Sequence, residues 1–283
     1  MLKGVLRSRV PELLMHVHFH RPFPHVAGSS WIRPWSFIDD LSSAGIPALP
    51  RGEGSVEDFR RYMPGLDDAH FARVFGQQAL EYWLWKQGPR SRYVGCSTYR
   101  RYLMIDQCES REERRIAKAP TPEHLATFSS EAQRAAALAF LESADLVTNR
   151  PWAMPATIER QYLDNQPAEY WNLFLEGIER HLPAYRKHMV WFRRYNTASF
   201  ETTYILRRDW FMRYAKELFT LLAHVFRHAK VAVPEAPEGT FQPAYRYPGF
   251  LGERFLPFFA YANGLRRIEV PLVIFAEPQG PAD

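Results

Sequence analysis

Two adjacent arginines, Arg100 and Arg101, follow a short apolar run in the segment YVGCSTYRRYL. The apolar start predicts a buried strand, and the glycine and small hydroxyl residues after it place the arginines where that strand ends. Two guanidinium groups can bind a diphosphate through charge-assisted hydrogen bonds. The alternative is that one arginine forms a structural ion pair while the other faces solvent. Both interpretations stay open at this point.

Two carboxylates beside apolar segments are candidates for acid–base chemistry. Glu253 lies within GFLGERFLPFF, where burial would raise the pKa of its carboxyl and suit it to act as a general base. Its alternative role is an ion pair with Arg254 or with another arginine. Asp145 begins the apolar run ADLVTN, where it either takes part in catalysis or simply ends a strand.

Histidine alternates with apolar residues in LLMHVHFH, which is the pattern of a strand with two unlike faces. The pattern predicts that His16, His18 and His20 project on one side. Three histidines on one face could bind a metal, and a half-exposed strand beside a ligand cleft is the alternative. No phosphate-binding glycine loop, nucleophile elbow or cysteine-rich zinc spacing occurs, which excludes the commonest nucleotide-binding and hydrolase motifs.

Composition sets wider limits on the kind of protein. The chain has 283 residues, 46% of them hydrophobic and 15% aromatic, so it can bury a substantial core and line a cleft with rings. The net charge of +5 is mild, and basic residues are interleaved with acidic ones, which argues against a nucleic-acid partner. Two cysteines, no long apolar segment and no signal-peptide pattern predict a cytoplasmic protein, with peripheral membrane contact left open.

Helical and strand patterns alternate along the chain, and this alternation predicts the fold class. A helix over 67–87 leads directly into the strand YVGCS, and similar pairs follow to the closing strand RRIEVPLVIF. The region 21–66 reads as a long loop with short elements, and 231–245 as a Pro/Gly-rich loop. We expect one α/β domain over 1–283, with a mixed, mostly parallel central sheet flanked by helices. Ligands bind such sheets at the carboxyl ends of strands, where YRRY falls.

Four blocks of the sequence, the first of which contains two segments, together resemble a family of bacterial capsular and O-antigen polysaccharide glycosyltransferases. The family was first catalogued as a domain of unknown function and has been linked to galactofuranosyl transfer. ALEYWLWK and YVGCSTYRRYL are similar to its [ST]-A-x-Y-W-x-W-K and Y-[VI]-G-L-C-H-Y-R-R-Y blocks. SADLVTNRPW, TTYILRRDWFMRYAKELFTLL and RYPGFLGERFLPFFAYANGLRRIEVPLV follow in the same order as the family's later blocks. The resemblance runs from about Leu14 to Ile274.

The resemblance implies a GT-A-like, Rossmann-type fold, a nucleotide-sugar donor and a glycan or lipid-linked acceptor. Among nucleotide-sugars it favours a UDP-hexose. GT-A enzymes hold a divalent ion with a D-x-D motif at the end of a central strand. Tyr99, Arg100 and Arg101 stand at the matching place here. Guanidinium groups can supply the charge that a metal would bring, so no cofactor is required, and dependence on Mn²⁺ or Mg²⁺ is kept as an alternative.

The resemblance also implies roles for individual residues. Glu253 matches the acid of the family's G-F-x-x-E-R block, which implies a general base for an inverting transfer. The donor-binding residues expected in this way are Thr98, Tyr99, Arg100, Arg101, His20 and Asp145, and the acceptor-binding or supporting residues are Arg254, Arg246, Thr202 and Trp152. Thr98 and Thr202 depart from the family's His and Asn, which implies a different sugar or an inactive member.

Two rival functions are left open by the residues. One is a metal-dependent form of the same enzyme, with Asp145 and the strand histidines as ligands. The other is a non-catalytic glycan-binding or scaffold protein of a polysaccharide assembly complex. In that rival, exposed tryptophans serve as sugar platforms, and the candidates are Trp83, Trp85, Trp152 and Trp171. Nucleotide binding separates this second rival from an enzyme.

Overall fold

The computed structural model describes residues 11–36, 39–49, 74–109, 114–117, 120–230 and 246–276. The strands are β1 (Leu13–Phe19), β2 (Ile32–Ser36), β3 (Tyr93–Thr98), β4 (Arg101–Leu103), β5 (Arg114–Ala117), β6 (Leu146–Asn149), β7 (Trp152–Ala153), β8 (Thr197–Ala198), β9 (Tyr204–Arg207), β10 (Arg267–Val270) and β11 (Leu272–Phe275). The helices are α1 (Gln77–Gln87), α2 (Pro122–Ser129), α3 (Glu131–Ser143), α4 (Ile158–Leu163), α5 (Ala168–His181), α6 (Val190–Arg194), α7 (Arg208–His228) and α8 (Tyr247–Ala262). Short 3-10 helices span Asp39–Ala44, Ile105–Gln107 and Pro183–His188.

The central sheet has six strands in the order β10-β6-β9-β3-β1-β2. β1 runs parallel to β2 and β3, and β6 runs parallel to β10. β9 alone is antiparallel to its neighbours β3 and β6. The predicted mixed, mostly parallel sheet flanked by helices is therefore confirmed. We call the edge at which β1, β3 and β6 end the carboxyl edge, and the opposite one the amino edge. Because β9 is reversed, it begins at the carboxyl edge.

Two smaller sheets extend from this carboxyl edge. β4, β11 and β5 form one, and β7 pairs with β8 in the other. The chain leaves β3 at Thr98, turns through Tyr99 and Arg100, and enters β4. The Ser97 hydroxyl closes this turn by donating to the carbonyl oxygen of Arg101 (2.6 Å). The YRRY segment thus joins the central sheet to a second sheet, at the edge where it was predicted.

One local prediction needs correction. The closing segment RRIEVPLVIF is not one strand, because Pro271 separates β10 in the central sheet from β11 in the second sheet. The region 21–66, predicted as a long loop with short elements, contains β2, which pairs with β1 in the central sheet. The segment SREERRIAKAP contains β5. The predicted loop 231–245, residues 50–66 and the start of the predicted helix at 67 lie outside the described residues.

Hydrophobic side chains cover both faces of the central sheet. One cluster joins α1, α5, α7 and α8 to the sheet, with Trp171, Tyr214 and Phe255 essentially inaccessible to solvent. A second cluster packs α3 against the opposite face around Val17 and Leu141. No helix among the described residues combines the length and the apolar character needed to cross a bilayer. The first cluster fixes α8 in the core and so decides where its polar side chains lie.

Glu81 on α1 is a carboxyl buried completely inside the first cluster. The hydroxyl of Tyr204 donates to its Oε1 (2.9 Å), and the hydroxyl of Tyr214 lies 3.4 Å from Oε2. Gln77 Nε2 also donates to Oε1 (3.2 Å). Burial raises the pKa of Glu81 to about 7, and these hydrogen bonds only partly oppose the rise. The carboxyl therefore holds its proton in the native state at pH values where it would ionise in the unfolded chain.

This difference predicts a specific pH dependence of stability. The native state binds the extra proton between the unfolded value of 4.5 and about 7, so the free energy of unfolding should fall across that window and level off above it. The change attributable to Glu81 is on the order of 3 kcal/mol. Glu81→Gln keeps the shape without the titration, and we expect chemical unfolding of this variant to lose the decline. An identical decline in both proteins would contradict the assignment.

Candidate active site

Tyr99 ties the end of β1 to the end of β3 at the carboxyl edge. Its backbone N–H donates to the carbonyl oxygen of His18 (3.0 Å), and its side chain is 3% exposed. Its ring packs against those of Phe19, His20 and Phe23, with centroids 5.8, 4.8 and 5.0 Å away. Tyr99 and His20, which are 79 positions apart in the sequence, are therefore neighbours, as expected for residues of one site.

The two arginines take different directions from the turn after β3. The guanidinium group of Arg101 meets Glu201, with 2.8 Å between Nη2 and Oε2, and Nη1 donates to the Glu201 backbone carbonyl (3.0 Å). Arg100 lies over the ring of Tyr99, its guanidinium carbon 5.8 Å from the centroid. For Arg101 the structure thus shows the ion-pair alternative. The pair stays accessible, since 24% of the Arg101 side chain is exposed.

Glu253 on α8 lies beside this pair. Burial raises the pKa of its carboxyl. The positive charge of Arg101 opposes this rise most strongly, followed by that of Arg254. The negative charge of Glu201 adds to the rise, and Arg246 has the smallest opposing effect. The Glu253 side chain remains 27% exposed, so solutes can reach it. The fold therefore brings Glu253 and Arg101 within electrostatic reach of each other at the carboxyl edge, although 152 positions separate them. We call the space next to these two partly exposed side chains the cleft.

Arg246 precedes α8 and completes the positive side of this cleft. Burial lowers the pKa of its guanidinium group, and the nearby Glu253 counteracts this effect. Gly76, just before α1, leaves room for the group: it has a φ of +56°, and an added Cβ would lie 3.0 Å from Arg246 Nη2. The positive charge of Arg101 lowers the pKa of Arg246 further, so the two guanidinium groups lie near each other.

Arg254, the neighbour of Glu253, is a structural residue in this protein. It is 2% exposed, Nη1 donates to the Phe250 carbonyl (2.7 Å), and Nη2 donates to Gln161 Oε1. The rings of Tyr162, Phe200 and Phe250 surround its guanidinium carbon at 5.2, 5.2 and 5.6 Å. Its Nη1 is 3.8 Å from Glu253 Oε2. This burial and these contacts suit Arg254 to support Glu253 rather than to contact a ligand directly.

The remaining candidates near the edge are less central. Thr98 ends β3 opposite His18 and is partly exposed. Trp152 on β7 packs edge-on against Phe200, with centroids 5.9 Å apart, so it adjoins the aromatic surroundings of Arg254. Thr202 is 2% exposed, so its side chain is packed against protein, and its expected acceptor-binding or supporting role stays a prediction.

Asp145 is not part of this cleft. It precedes β6 and therefore lies at the amino edge, where it is 3.4 Å from Arg207 Nη1 and accepts from the backbone N–H of Arg266 (3.1 Å). β3 spans six residues, so the two edges are about 16 Å apart. The expected donor-binding role of Asp145 is inconsistent with this placement. Its alternative role, ending a strand within an ion pair, agrees with it.

The strand histidines do not form the metal site that was one of their two interpretations. His16 and His18 are 5% and 1% exposed, and burial lowers the pKa of both to about 3. His16 Nδ1 accepts from Trp35 Nε1 (3.0 Å), so part of its ligating capacity is used. Across the residues that the structure describes, no three His, Cys, Asp or Glu side chains converge as a metal-binding group.

Glu201 is the functional candidate that the sequence did not suggest, although its neighbour Thr202 was one of the expected residues. The loop between β8 and β9 carries Glu201, which pairs with Arg101, and Thr202, whose φ is +45°. Gln77 on α1 fixes this conformation by donating to the Thr202 carbonyl and accepting from its hydroxyl (3.2 Å). The sequence does show an acidic residue, Glu201, immediately before the predicted strand TTYILR, and this position could have marked it as a candidate. That Glu201 pairs with Arg101 could not be predicted from the sequence.

The positive φ at Thr202 predicts a stabilising substitution. A β-branched residue in the left-handed region is strained, whereas Asn occupies that region far more readily. We expect Thr202→Asn to raise the free energy of unfolding by about 1 kcal/mol, measured by chemical denaturation. Thr203→Asn is the control, because Thr203 is also buried and has no positive φ. Equal destabilisation by both substitutions would show that Thr202 is not strained.

The tryptophans proposed as sugar platforms are mostly packed against protein. Trp171 is 1% exposed and donates to Glu159 Oε1 (3.0 Å). Trp85 stacks on Phe219 with centroids 5.8 Å apart, and Trp83 contacts Trp35 at 5.4 Å. These contacts remove Trp171 from the candidates for a sugar platform and leave the other tryptophans partly covered.

Comparison with known proteins supports the fold. The chain is similar to a solved structure described as the WbbM bifunctional glycosyltransferase in its apo state, with a TM-score of 0.71 and 16% sequence identity. The similarity covers 96% of this chain and 48% of that one, so the chain spans about half the length of the structure it matches. No curated protein sequence matches the chain.

A protein-family model matches the part of the chain that forms the cleft. The matched residues, 75–264, include β3, the YRRY turn, the Glu201 loop and Glu253. They make up more than half of the 283 residues. The chain therefore belongs to the family described as "Domain of unknown function (DUF4422)".

Proposed function

We propose that the protein is a glycosyltransferase that moves a hexose from a nucleotide-sugar to a polysaccharide or lipid-linked glycan. The observation that carries the proposal is the convergence of Arg101, Arg246 and Glu253 at the carboxyl edge of the central sheet. Positive groups suited to a diphosphate thus lie beside an accessible carboxyl suited to take a proton. The similarity to a glycosyltransferase structure supports this choice of chemistry.

In this proposal Glu253 is the general base of an inverting transfer. It takes the proton of an acceptor hydroxyl, whose oxygen attacks the anomeric carbon of the donor. The bond from that carbon to the phosphate oxygen breaks, and the nucleoside diphosphate leaves with the electron pair. Its growing negative charge is stabilised by Arg101 and Arg246, with Arg100 at the rim of the cleft. The burial that raises the pKa of Glu253 makes its carboxylate a stronger base.

The donor side of the cleft is formed by the ends of β1 and β3. Tyr99, His20 and Thr98 lie there, and we assign the nucleotide to this side. The family resemblance favours UDP as the nucleotide and galactose or galactofuranose as the sugar. A capsular or O-antigen acceptor carried on a lipid would bring a cytoplasmic protein to the inner face of the membrane. The resemblance puts Arg100 and Arg101 at the position where GT-A enzymes bind a metal, so this proposal assigns the stabilising charge to the arginines and no catalytic step to a metal.

Ligand-induced thermal stabilisation tests the donor assignment. UDP, GDP, CMP and their sugars are screened with EDTA and, separately, with Mn²⁺. We expect UDP or a UDP-sugar to stabilise the protein in the presence of EDTA. A ligand at a hundred times its dissociation constant raises the free energy of unfolding by about 2.7 kcal/mol. Stabilisation only with Mn²⁺ would contradict the arginine site. No stabilisation by any nucleotide would favour the non-catalytic glycan-binding or scaffold function, which oligosaccharide binding then tests.

A further inference from the structure

An exposed aromatic surface surrounds the short helix α6, away from the residues assigned to the cleft. In the described part of the chain, the large hydrophobic side chains that are exposed are Val190 (42%), Tyr195 (46%) and Tyr261 (40%). The rings of Tyr195 and Tyr261 are 6.1 Å apart, centroid to centroid, and Trp191 stacks on both at 6.0 and 5.9 Å. Val190 begins the same helix. The exposed hydrophobic groups are therefore concentrated at one place.

The same place is strongly basic. Residues 180–200 contain five Lys or Arg residues and no Asp or Glu. Within the described residues, the exposed side chains of Arg186, Lys187 and Arg194 form no ion pair, whereas Arg193 pairs with Glu159 (3.0 Å). His188 packs edge-on against Tyr261 at 5.7 Å, which joins the basic segment before α6 to the aromatic rings. We call this region, formed by residues 186–195 and Tyr261, the basic aromatic surface.

We propose that the basic aromatic surface docks the protein on a membrane containing anionic lipids. Tyr and Trp side chains place an apolar ring and a polar tip at the level of lipid headgroups, and nearby Lys and Arg attract anionic headgroups. Val190, Tyr195 and Tyr261 supply the shallow apolar contact, and Arg186, Lys187 and Arg194 supply the charge. The inference rests on this surface alone and holds whether or not the cleft transfers a sugar.

Other occupants fit the surface less well. A second copy of the chain would place like charges face to face, which opposes association. Three exposed hydrophobic side chains are also few for a stable protein interface, which buries about 800 Å² on each partner. A nucleic acid would use the positive charge but gain little from Val190. An anionic bilayer uses both the charge and the apolar side chains.

Vesicle flotation of the full chain tests the proposal without any donor or acceptor. The probes are neutral phosphatidylcholine vesicles and the same vesicles with about 30% phosphatidylglycerol, at low salt and at about 0.5 M salt. We expect at least tenfold more protein bound to the anionic vesicles at low salt, and most of this binding lost at high salt. Equal recovery with neutral and anionic vesicles, or none with either, would overturn the proposal.

Charge-matched variants locate the contact. The test variant combines Arg186→Glu, Lys187→Glu and Arg194→Glu, and the control combines Lys86→Glu, Arg90→Glu and Lys230→Glu, at exposed positions of other elements. Both variants have the same net charge. We expect at least tenfold weaker vesicle binding for the first and less than twofold change for the second. Circular dichroism and thermal melts confirm that both are folded. Equal loss in both would show attraction by net charge only and overturn the assigned surface.

A second variant tests the apolar part of the contact at unchanged charge. Val190→Ser combined with Tyr195→Ser removes exposed side chains, so folding should be preserved. We expect at least threefold weaker vesicle binding, and unchanged binding would contradict insertion of these groups. Sedimentation of the wild type and of this variant tests the alternative of a second copy. A dimeric wild type and a monomeric variant would assign the surface to a second copy of the chain. Strong duplex DNA binding with no vesicle binding would assign it to nucleic acid.

Discussion

Glu253→Gln should reduce sugar transfer by a factor of about 10² to 10⁴. The amide keeps the size of the side chain and its place on α8, but it cannot accept the proton of the acceptor hydroxyl. Because the substitution leaves Arg101 and Arg246 in place, the dissociation constant of the donor should change by less than about threefold. Transfer is measured with the donor that the nucleotide screen identifies, and donor binding is measured separately by calorimetry.

Glu269→Gln is the matched control for this experiment. Glu269 is a glutamate of similar exposure, 30% against 27%, and it also lies beside an arginine, with 3.6 Å between Arg267 Nη2 and its Oε1. We expect transfer by the control to stay within about twofold of the wild type, as for a surface substitution outside the site. A Glu253→Gln protein that binds donor and transfers sugar normally would exclude Glu253 as the base.

Arg101→Ala should affect both the donor and the base. Removing the guanidinium leaves Glu201 without its ion pair and takes from Glu253 the largest of the charges that lower its pKa. The donor's dissociation constant should rise at least about tenfold, equal to about 1.4 kcal/mol. The acid limb of the pH–rate profile should move to higher pH, because Glu253 then holds its proton more tightly. A purely structural role of Arg101 would not shift that limb.

Arg92→Ala provides the control at the other end of β3. Arg92 pairs with Glu12 across 3.4 Å at the amino edge, and 65% of its side chain is exposed. Exposed pairs of this kind contribute about 0 to 1 kcal/mol, so donor affinity and the pH profile should both stay unchanged. Arg101→Lys separates charge from geometry: it should restore the pH profile more fully than donor affinity, since lysine lacks the planar fork. Unchanged donor affinity in Arg101→Ala would remove this residue from the donor site.

Many of the local elements, and the place of two candidate residues, could be predicted from the sequence. Alternating apolar residues predicted β1, the apolar run before Gly95 predicted β3, and both strands lie in the central sheet. A strand and the residues after it are contiguous, so placing Arg100 and Arg101 after β3 also placed them at the carboxyl edge. The helical pattern around Glu253 was equally local. Period-two and period-3.6 patterns arise within a few residues, which is why they can be read without a tertiary structure.

Which of these residues come into contact depends on the arrangement of the strands and could not be predicted from local patterns. The reversed direction of β9 brings Glu201, which precedes it, to the carboxyl edge beside Arg101, and carries Arg207 at its end to Asp145 at the amino edge. Strand direction depends on packing across the whole sheet and leaves no mark on the residues of the strand itself. For the same reason the burial of Arg254 among aromatic rings could not be predicted, because those rings come from three separate segments.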